Sequence, residues 1–134
     1  AALCVVCDAL LVAAGVFEQL PGLNIIVGHM GEGLPFHLER IETMLTPVVL
    51  GQALTVAETL RRNLHLTTSG HNADAPLLCA LAAFGADRVM FSVDHPFGSS
   101  VQATTHLAAA PVSPEVRNQI AHGNAESLLR IGAA

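Results

Sequence analysis

Lysine, tryptophan and tyrosine are absent from this 134-residue sequence, so all six of its basic residues are arginine. The formal net charge is −5, and the pI is about 5.7. Surfaces that bind nucleic acids or anionic membranes need clustered positive charge. We therefore expect neither kind of partner.

The sequence also lacks a long hydrophobic run near its start. The apolar stretch at residues 9–17 is about half of what a bilayer span requires. Asp8 precedes this stretch, and the basic region of a secretory signal is missing. These features favour a cytoplasmic protein, and the mean hydropathy of +0.51 indicates a substantial buried core.

Cysteine is scarce and does not indicate a disulfide framework. Cys4 and Cys7 form a C-x-x-C pair, but the sequence has only three cysteines and no second pair. We expect both to be small buried residues of one helix.

Hydrophobic periodicity predicts helices and strands in alternation. The predicted helices cover residues 3–17, 34–45, 54–62, 75–84, 101–109, 114–122 and 125–131, and the predicted strands cover 24–28, 64–68 and 88–92. Strands joined by helical crossovers form parallel sheets. Three strands cannot close a barrel, and a complete eight-stranded barrel takes about 250 residues. The pattern, which opens in a helix without a capping residue, predicts the C-terminal part of a larger α/β unit.

An ionisable residue stands at the carboxyl end of the first predicted strand, where parallel α/β enzymes place their chemistry. His29 follows Gly28 there, and Glu32 lies three residues later between two glycines. A carboxylate at Glu32 could fix the tautomer of His29 and raise the basicity of the other ring nitrogen. The alternative is a structural histidine, with Glu32 favouring the start of the next helix.

A second ionisable residue, Asp94, follows the third predicted strand and precedes His95 and Pro96. It could cap the next helix or form a turn. A carboxylate buried at the mouth of a sheet is costly unless it is paired or bound to metal, which favours a functional role.

Three more residues have weaker support. Arg40 could be a surface cation on the helix after His29, and His71 could be a solvated loop residue beside Ser69 at the end of the second strand. We expect the other histidines outside these segments, at 37, 65, 106 and 122, to be structural.

Several segments in a fixed order carry a family resemblance. They are residues 15–24 (GVFEQLPGLN) running into 28–32 (GHMGE), then 67–70 (TTSG), 87–97 (DRVMFSVDHPF) and the Asn124-Ala125 pair near the end. Together they resemble the amidohydrolase-related metal-dependent hydrolases, in the branch of aminocarboxymuconate-semialdehyde decarboxylase and the γ-resorcylate-type decarboxylases. The resemblance covers essentially the whole chain.

The resemblance implies a fold and a set of roles. It implies a TIM-type (β/α)₈ barrel, with residues 1–134 as a partial barrel domain containing about strands six to eight with their helices, the N-terminal half being absent. Asp94 would bind one divalent metal ion, zinc or manganese, and take part in proton transfer. His29, oriented by Glu32, would lie beside the metal, while Arg40 and Phe97 would contact the substrate.

The sequence departs from the family pattern in ways that matter. The other metal ligands implied by the resemblance, a Glu-x-His or His-x-His motif and a further histidine on an earlier strand, do not occur here. A catalytic zinc site needs about three protein ligands, so we expect the chain alone to bind metal weakly. His95 and Gly98 also replace an aromatic and an acidic residue that are common in the family.

We interpret the chain as part of a metal-dependent carboxy-lyase acting on a hydroxy-aromatic or related unsaturated carboxylate. One alternative is hydrolysis of a lactone or amide at the same site. Another is a catalytically silent fragment that acts only by association with another chain. The resemblance further implies a small-molecule carboxylate as substrate and a homo-oligomer as the full-length form.

Overall fold

A computed structural model describes residues 2–47, 49, 51 and 53–131 of the protein, with side chains from residue 7 onward. Within this part of the chain, eight α-helices alternate with three short strands. The helices are α1 (Ala2–Ala13), α2 (Val16–Gln19), α3 (Leu34–Leu45), α4 (Val56–Asn63), α5 (Asp74–Phe84), α6 (Ser100–Ala109), α7 (Pro114–Asn118) and α8 (Asn124–Leu129). The strands are β1 (Ile25–Val27), β2 (Leu64–Thr67) and β3 (Val89–Met90).

The three strands form the predicted parallel sheet in the order β1-β2-β3. Ile25 pairs with Leu64 at one end, and Thr67 pairs with Met90 at the other. Because all three strands point the same way, the residues that follow them meet at one edge of the sheet. This edge carries both His29 and Asp94.

One face of the sheet is covered by helices. Leu64 and Leu66 of β2 are fully buried there, in a cluster that includes Phe17, Leu34 and Leu60. The side chain of Ile26, between two partly buried residues of β1, is 47% exposed. The chain therefore has a closed core on its helical side, and on the opposite face Ile26 is half-exposed while its neighbour His65 on β2 is buried.

Helix starts follow the local sequence where a capping residue is present. Thr55 and Glu58 form a reciprocal capping box at α4, and the Ser113 hydroxyl accepts a hydrogen bond from the Val116 amide at α7. These capped starts, including Pro114 at the first position of α7, agree with the sequence pattern.

The last helices of the described chain differ from those predicted from the sequence. The predicted helix at 114–122 ends as α7 at Asn118 and continues as a π-helical segment, Gln119–Gly123, into α8. Asn124 is the first residue of α8, and its side-chain amide donates to the carbonyls of Ala86 and Val89, at 2.7 Å each. It ties the last helix to β3.

The cysteine prediction was wrong for Cys7, which is exposed on α1; the side chain of Cys4 lies outside the described residues. None of the helices in the described ranges is long and apolar enough to cross a membrane.

Candidate active site at the carboxyl ends of the strands

The turn after β1 has an unusual left-handed backbone. Five successive residues, from His29 to Gly33, all have positive φ angles, between 51° and 90°. Three of them are not glycine, and each such residue costs about 1 kcal/mol or more. At Gly31, a Cβ would lie 3.1 Å from the side chain of Leu66, so the turn packs tightly against β2. Strain of this kind, held in place by packing, is often found at functional sites.

Ser69 fixes the position of His29 through two hydrogen bonds. The backbone amide of His29 donates to the Ser69 hydroxyl at 3.0 Å, and the His29 ring nitrogen Nδ1 lies 3.0 Å from the Ser69 carbonyl oxygen. A carbonyl oxygen only accepts hydrogen bonds, so Nδ1 carries the proton in this contact. The neutral imidazole therefore has its lone pair on Nε2, where it can accept a proton.

Glu32 lies close to that second nitrogen. Its carboxylate oxygen is 3.8 Å from His29 Nε2, which is within ion-pair distance but too long for a hydrogen bond. Ser69 therefore makes the hydrogen bond that orients the ring. The Glu32 carboxylate is placed to stabilise the imidazolium once Nε2 has taken a proton.

Gly70 brings His29 and Asp94 together. A Cβ built on Gly70 would lie 2.8 Å from His29 Nδ1 and 3.5 Å from Asp94 Oδ2. Any side chain at this position would therefore fill the space between the two groups. Gly70 has a φ of +70°, which glycine adopts readily.

The loop that carries Asp94 is fixed on both sides. The Thr68 hydroxyl donates to the Ser92 carbonyl at 2.9 Å and accepts from the Ser92 amide at 3.0 Å, which joins the ends of β2 and β3. After Asp94, the Gly98 amide donates to the Asp94 carbonyl at 2.7 Å. Asp94 itself has a φ of 71°, another left-handed residue at the same edge of the sheet.

The two predicted substrate-binding residues lie farther out. Arg40 is exposed on α3, and Phe97 is exposed at the tip of the turn after Asp94. Neither makes a hydrogen bond or ring contact with His29 or Asp94. His71 does approach the site, because its ring centroid lies 6.5 Å from that of His29 in an edge-on arrangement.

The described residues do not form a metal site by themselves. No group of three or more histidine, cysteine, aspartate or glutamate side chains in the described ranges could hold an ion. Asp94 can supply one ligand, which falls short of the three that a catalytic zinc site uses. A metal at this edge would need ligands from outside these residues.

Sequence reasoning placed Ser69 at the correct edge but did not identify its contacts with His29. It also missed Gly70 as the residue between His29 and Asp94. A signal was available, since Gly70 lies three residues after the end of β2, but the proximity of three separate loops is a tertiary property.

Comparison with known proteins identifies the family. The sequence profile described as "Amidohydrolase" matches residues 3–131. The γ-resorcylate decarboxylase of Rhizobium sp. (strain MTP-10005) is 36% identical over 128 residues, which is 92% of this chain and 39% of that protein. The decarboxylase orsB of Emericella nidulans is 37% identical over 131 residues, which is 90% of this chain and 38% of that protein.

Solved structures show the same partial correspondence. The dihydroxybenzoic acid decarboxylase of Polaromonas sp. JS666, with bound manganese and the inhibitor 2-nitroresorcinol, has a TM-score of 0.88 at 33% identity. The match covers 97% of this chain and 40% of that one. The 2,6-dihydroxybenzoate decarboxylase from Rhizobium has a TM-score of 0.86 at 35% identity, covering 95% of this chain and 41% of that one.

These structures have the TIM-barrel fold of amidohydrolases, which confirms the predicted fold class. The chain spans about two fifths of the length of the relatives it matches. Because the family profile matches nearly all of its length, the chain belongs to the amidohydrolase family.

Proposed function

We propose that this chain is the C-terminal part of a carboxy-lyase that removes CO₂ from a hydroxy-aromatic carboxylate with the help of a divalent metal. The observation that carries the proposal is the convergence of His29 and Asp94 on Gly70, in a chain that aligns over nine tenths of its length with decarboxylases. The domain assignment, with residues 1–134 as a partial barrel, belongs to this proposal.

Loss of CO₂ from an aromatic ring requires a proton. The ring carbon that bears the carboxylate takes up a proton, the bond to the carboxylate carbon breaks, and its electron pair restores the aromatic ring. A donor close to that carbon speeds the step most when its pKa is near the working pH. Asp94 and His29, which approach each other across Gly70, are the groups to which we assign this proton.

We assign His29 a supporting role in that proton transfer. Its Nδ1 is committed to the Ser69 carbonyl, so proton exchange takes place at Nε2, beside the Glu32 carboxylate. Glu32 stabilises the protonated ring. Arg40 would hold the substrate carboxylate and Phe97 would contact its ring, and both side chains would have to turn toward the mouth of the sheet.

The cofactor we propose is one divalent metal ion, and manganese is favoured over zinc because related decarboxylases contain manganese. When bound, such an ion withdraws electrons from substrate oxygens and holds the substrate in place. Asp94 would supply one ligand, and the remaining ligands would come from parts of the protein outside the described residues. The chain alone should therefore bind metal weakly.

The substrate we propose is a small carboxylate, because related decarboxylases bind 2,6-dihydroxybenzoate or nitro-substituted phenols. A cytoplasmic location and a homo-oligomeric full-length form complete the proposal, and neither nucleic acid nor membrane is expected as a partner.

The test is turnover by the complete protein, loaded with manganese, on 2,6-dihydroxybenzoate and related acids. Asp94→Asn should lower kcat at least a hundredfold. Asp87→Asn is a matched control, because Asp87 is an exposed carboxylate at the opposite end of β3 and should leave turnover within about twofold.

Normal CO₂ release by Asp94→Asn would contradict the proposal. Opening of lactones or amides without CO₂ release would instead favour hydrolysis at the same site. Absence of turnover on both the carboxylic acids and the lactones or amides, with the chain recovered only in complex with another chain, would favour a catalytically silent fragment.

A further inference from the structure

An open cavity of about 300 Å³, with the 78% exposed Phe36 on its rim, begins at the ring of His29 and extends between the first turns of α3 and α5. Besides His29, Gly33 and His71, its walls are apolar or weakly polar side chains. These are Met30, Pro35, Phe36, Ala75, Pro76 and Cys79. We call this space the apolar cavity; its residues are not among those assigned to proton transfer, except His29.

Two helices begin beside the apolar cavity, but they offer fewer free N–H donors than helix starts usually do. The first turn of a helix presents free amide N–H groups, which favour anions. Here Pro35 lies in the first turn of α3 and Pro76 in the first turn of α5, and each removes one of these donors. Apolar pyrrolidine rings therefore face a space where an anion would otherwise be expected.

Charge also disfavours an anion at this position. Asp74 begins α5 directly before Ala75, and its carboxylate lies 3.0 Å from His106 Nε2, outside the cavity walls. Asp74 adds negative charge at this helix start, and the cavity walls, as formed by the described residues, hold no arginine that could pair with a carboxylate. The apolar cavity thus favours a neutral, nonpolar group over the carboxylate end of a substrate.

The size of the apolar cavity fits a small group. A closed apolar cavity of roughly 150 Å³ in another protein holds one benzene molecule. Protein partners usually bury about 800 Å² on each side of a stable interface, far more than this space can offer. Its volume accommodates one ring or a short alkyl chain.

We propose that the apolar cavity binds a nonpolar substituent of the substrate, alkyl or aryl, while the carboxylate lies at the Asp94 side of His29. This inference rests on the proposed function, and it narrows the substrate class to hydroxy-aromatic acids that carry such a substituent. Phe36, Ala75 and Cys79 set the size of the group that fits.

Toluene binding to the purified chain tests the cavity without metal or turnover. Titration followed by two-dimensional NMR should give saturable shifts at Met30, Phe36 and Ala75. Ala75→Phe should weaken binding at least tenfold by filling the space. Leu78→Phe is the matched control, because Leu78 lies on the same helix, is partly exposed and does not line the cavity. Benzoate should bind at least tenfold more weakly than toluene.

Thiol alkylation provides a second measurement that does not depend on a variant. Toluene should slow the reaction of Cys79 with iodoacetamide at least threefold, because Cys79 lines the cavity. Cys7, exposed on α1, is the internal reference and should react at an unchanged rate.

Toluene shifts that are absent, spread over the surface or unchanged in Ala75→Phe would overturn the inference, as would tighter binding of benzoate. Shifts at the same residues that grow with protein concentration alone would also overturn it, because a second copy would then cover the cavity. Failure of CO₂ release leaves these readouts unaffected, so the two proposals fail separately.

Discussion

Ser69 makes two hydrogen bonds with His29. Its hydroxyl accepts one from the His29 backbone amide, and its carbonyl accepts one from the ring Nδ1, each at 3.0 Å. The Ser69 hydroxyl is also 3.0 Å from the Thr67 hydroxyl. A buried residue at the end of β2 thus fixes both the strained turn after β1 and the orientation of its imidazole. The tautomer of His29 follows from this contact.

Replacing Ser69 with alanine should destabilise the protein while keeping the His29 tautomer. The variant leaves the backbone amide of His29 without its acceptor, which costs about 1–3 kcal/mol. The Ser69 carbonyl is still present and should keep the proton on Nδ1. Chemical denaturation measures the free energy of unfolding, and nitrogen-15 NMR of the imidazole identifies the tautomer.

Ser100→Ala is a suitable control for that variant, because Ser100 is exposed at the start of α6 and its loss should cost under about 0.5 kcal/mol. Equal stability of the two variants would show that the hydroxyl of Ser69 does not support the turn.

Replacing Gly70 with alanine should displace His29. The new Cβ would lie 2.8 Å from Nδ1, at a backbone φ of +70° that alanine adopts only with strain. We expect a loss of about 1–3 kcal/mol in unfolding free energy and a shifted imidazole resonance. Gly22→Ala is the control, because a Cβ there meets nothing within 4 Å. An unmoved His29 resonance in Gly70→Ala would refute the geometry.

The strand ends were predictable because their signals are local. Apolar β-forming residues followed by glycine mark the end of β1, and the resulting parallel sheet places His29 and Asp94 at one edge. The resemblance then indicated the family. Hydrophobic spacing also predicted most of the helices, including α3 from Leu34 to Leu45 with no error at either end.

The contacts between loops could not be derived in the same way. The amide of His29 binds a hydroxyl 40 residues away, and the Asn124 side chain binds carbonyls 35 and 38 residues away. Such pairs depend on how the strands pair and the helices pack in the fold, which the local sequence does not encode. For the same reason, the proline-lined cavity between α3 and α5 was not expected.

Asp8 should make the protein less stable as the pH rises. Its side chain is 6% exposed on α1, and its Oδ2 atom has no hydrogen-bond partner among the described residues. Burial raises the pKa of this carboxyl from 3.8 to about 6. The folded state therefore favours the neutral form, so the contribution of Asp8 to stability is greatest below pH 3.8 and is lost as the pH rises through 6.

Asp8→Asn should accordingly raise the free energy of unfolding by about 2–3 kcal/mol at pH 8 and by little at pH 4. Urea denaturation at both values measures the difference. Glu18→Gln, on an exposed carboxylate of α2, should change stability little at either pH. A gain for Asp8→Asn that is the same at both pH values would show that ionisation is not its cause.

His65 should have the opposite effect on acid stability. Its ring is buried on β2, and burial together with the Arg88 guanidinium lowers its pKa, although Asp87 partly opposes this. The Arg88 Nη1 atom lies 3.3 Å from His65 Nε2, so the ring accepts there and is neutral in the folded state. The stability that depends on the neutral ring is present above the unfolded value of 6.5 and is lost as the pH falls below it.

Separating the two effects requires the Asp8→Asn background, because Asp8 and His65 change stability in opposite directions between pH 6.5 and 4. In that background, unfolding free energy should fall steadily on acidification, and adding His65→Phe should flatten the curve. His122→Phe is the control, because His122 is exposed and pairs with Glu126 on the surface. If His65→Phe leaves the slope of unfolding free energy against pH unchanged between pH 6.5 and 5, the acid sensitivity has its origin elsewhere in the chain.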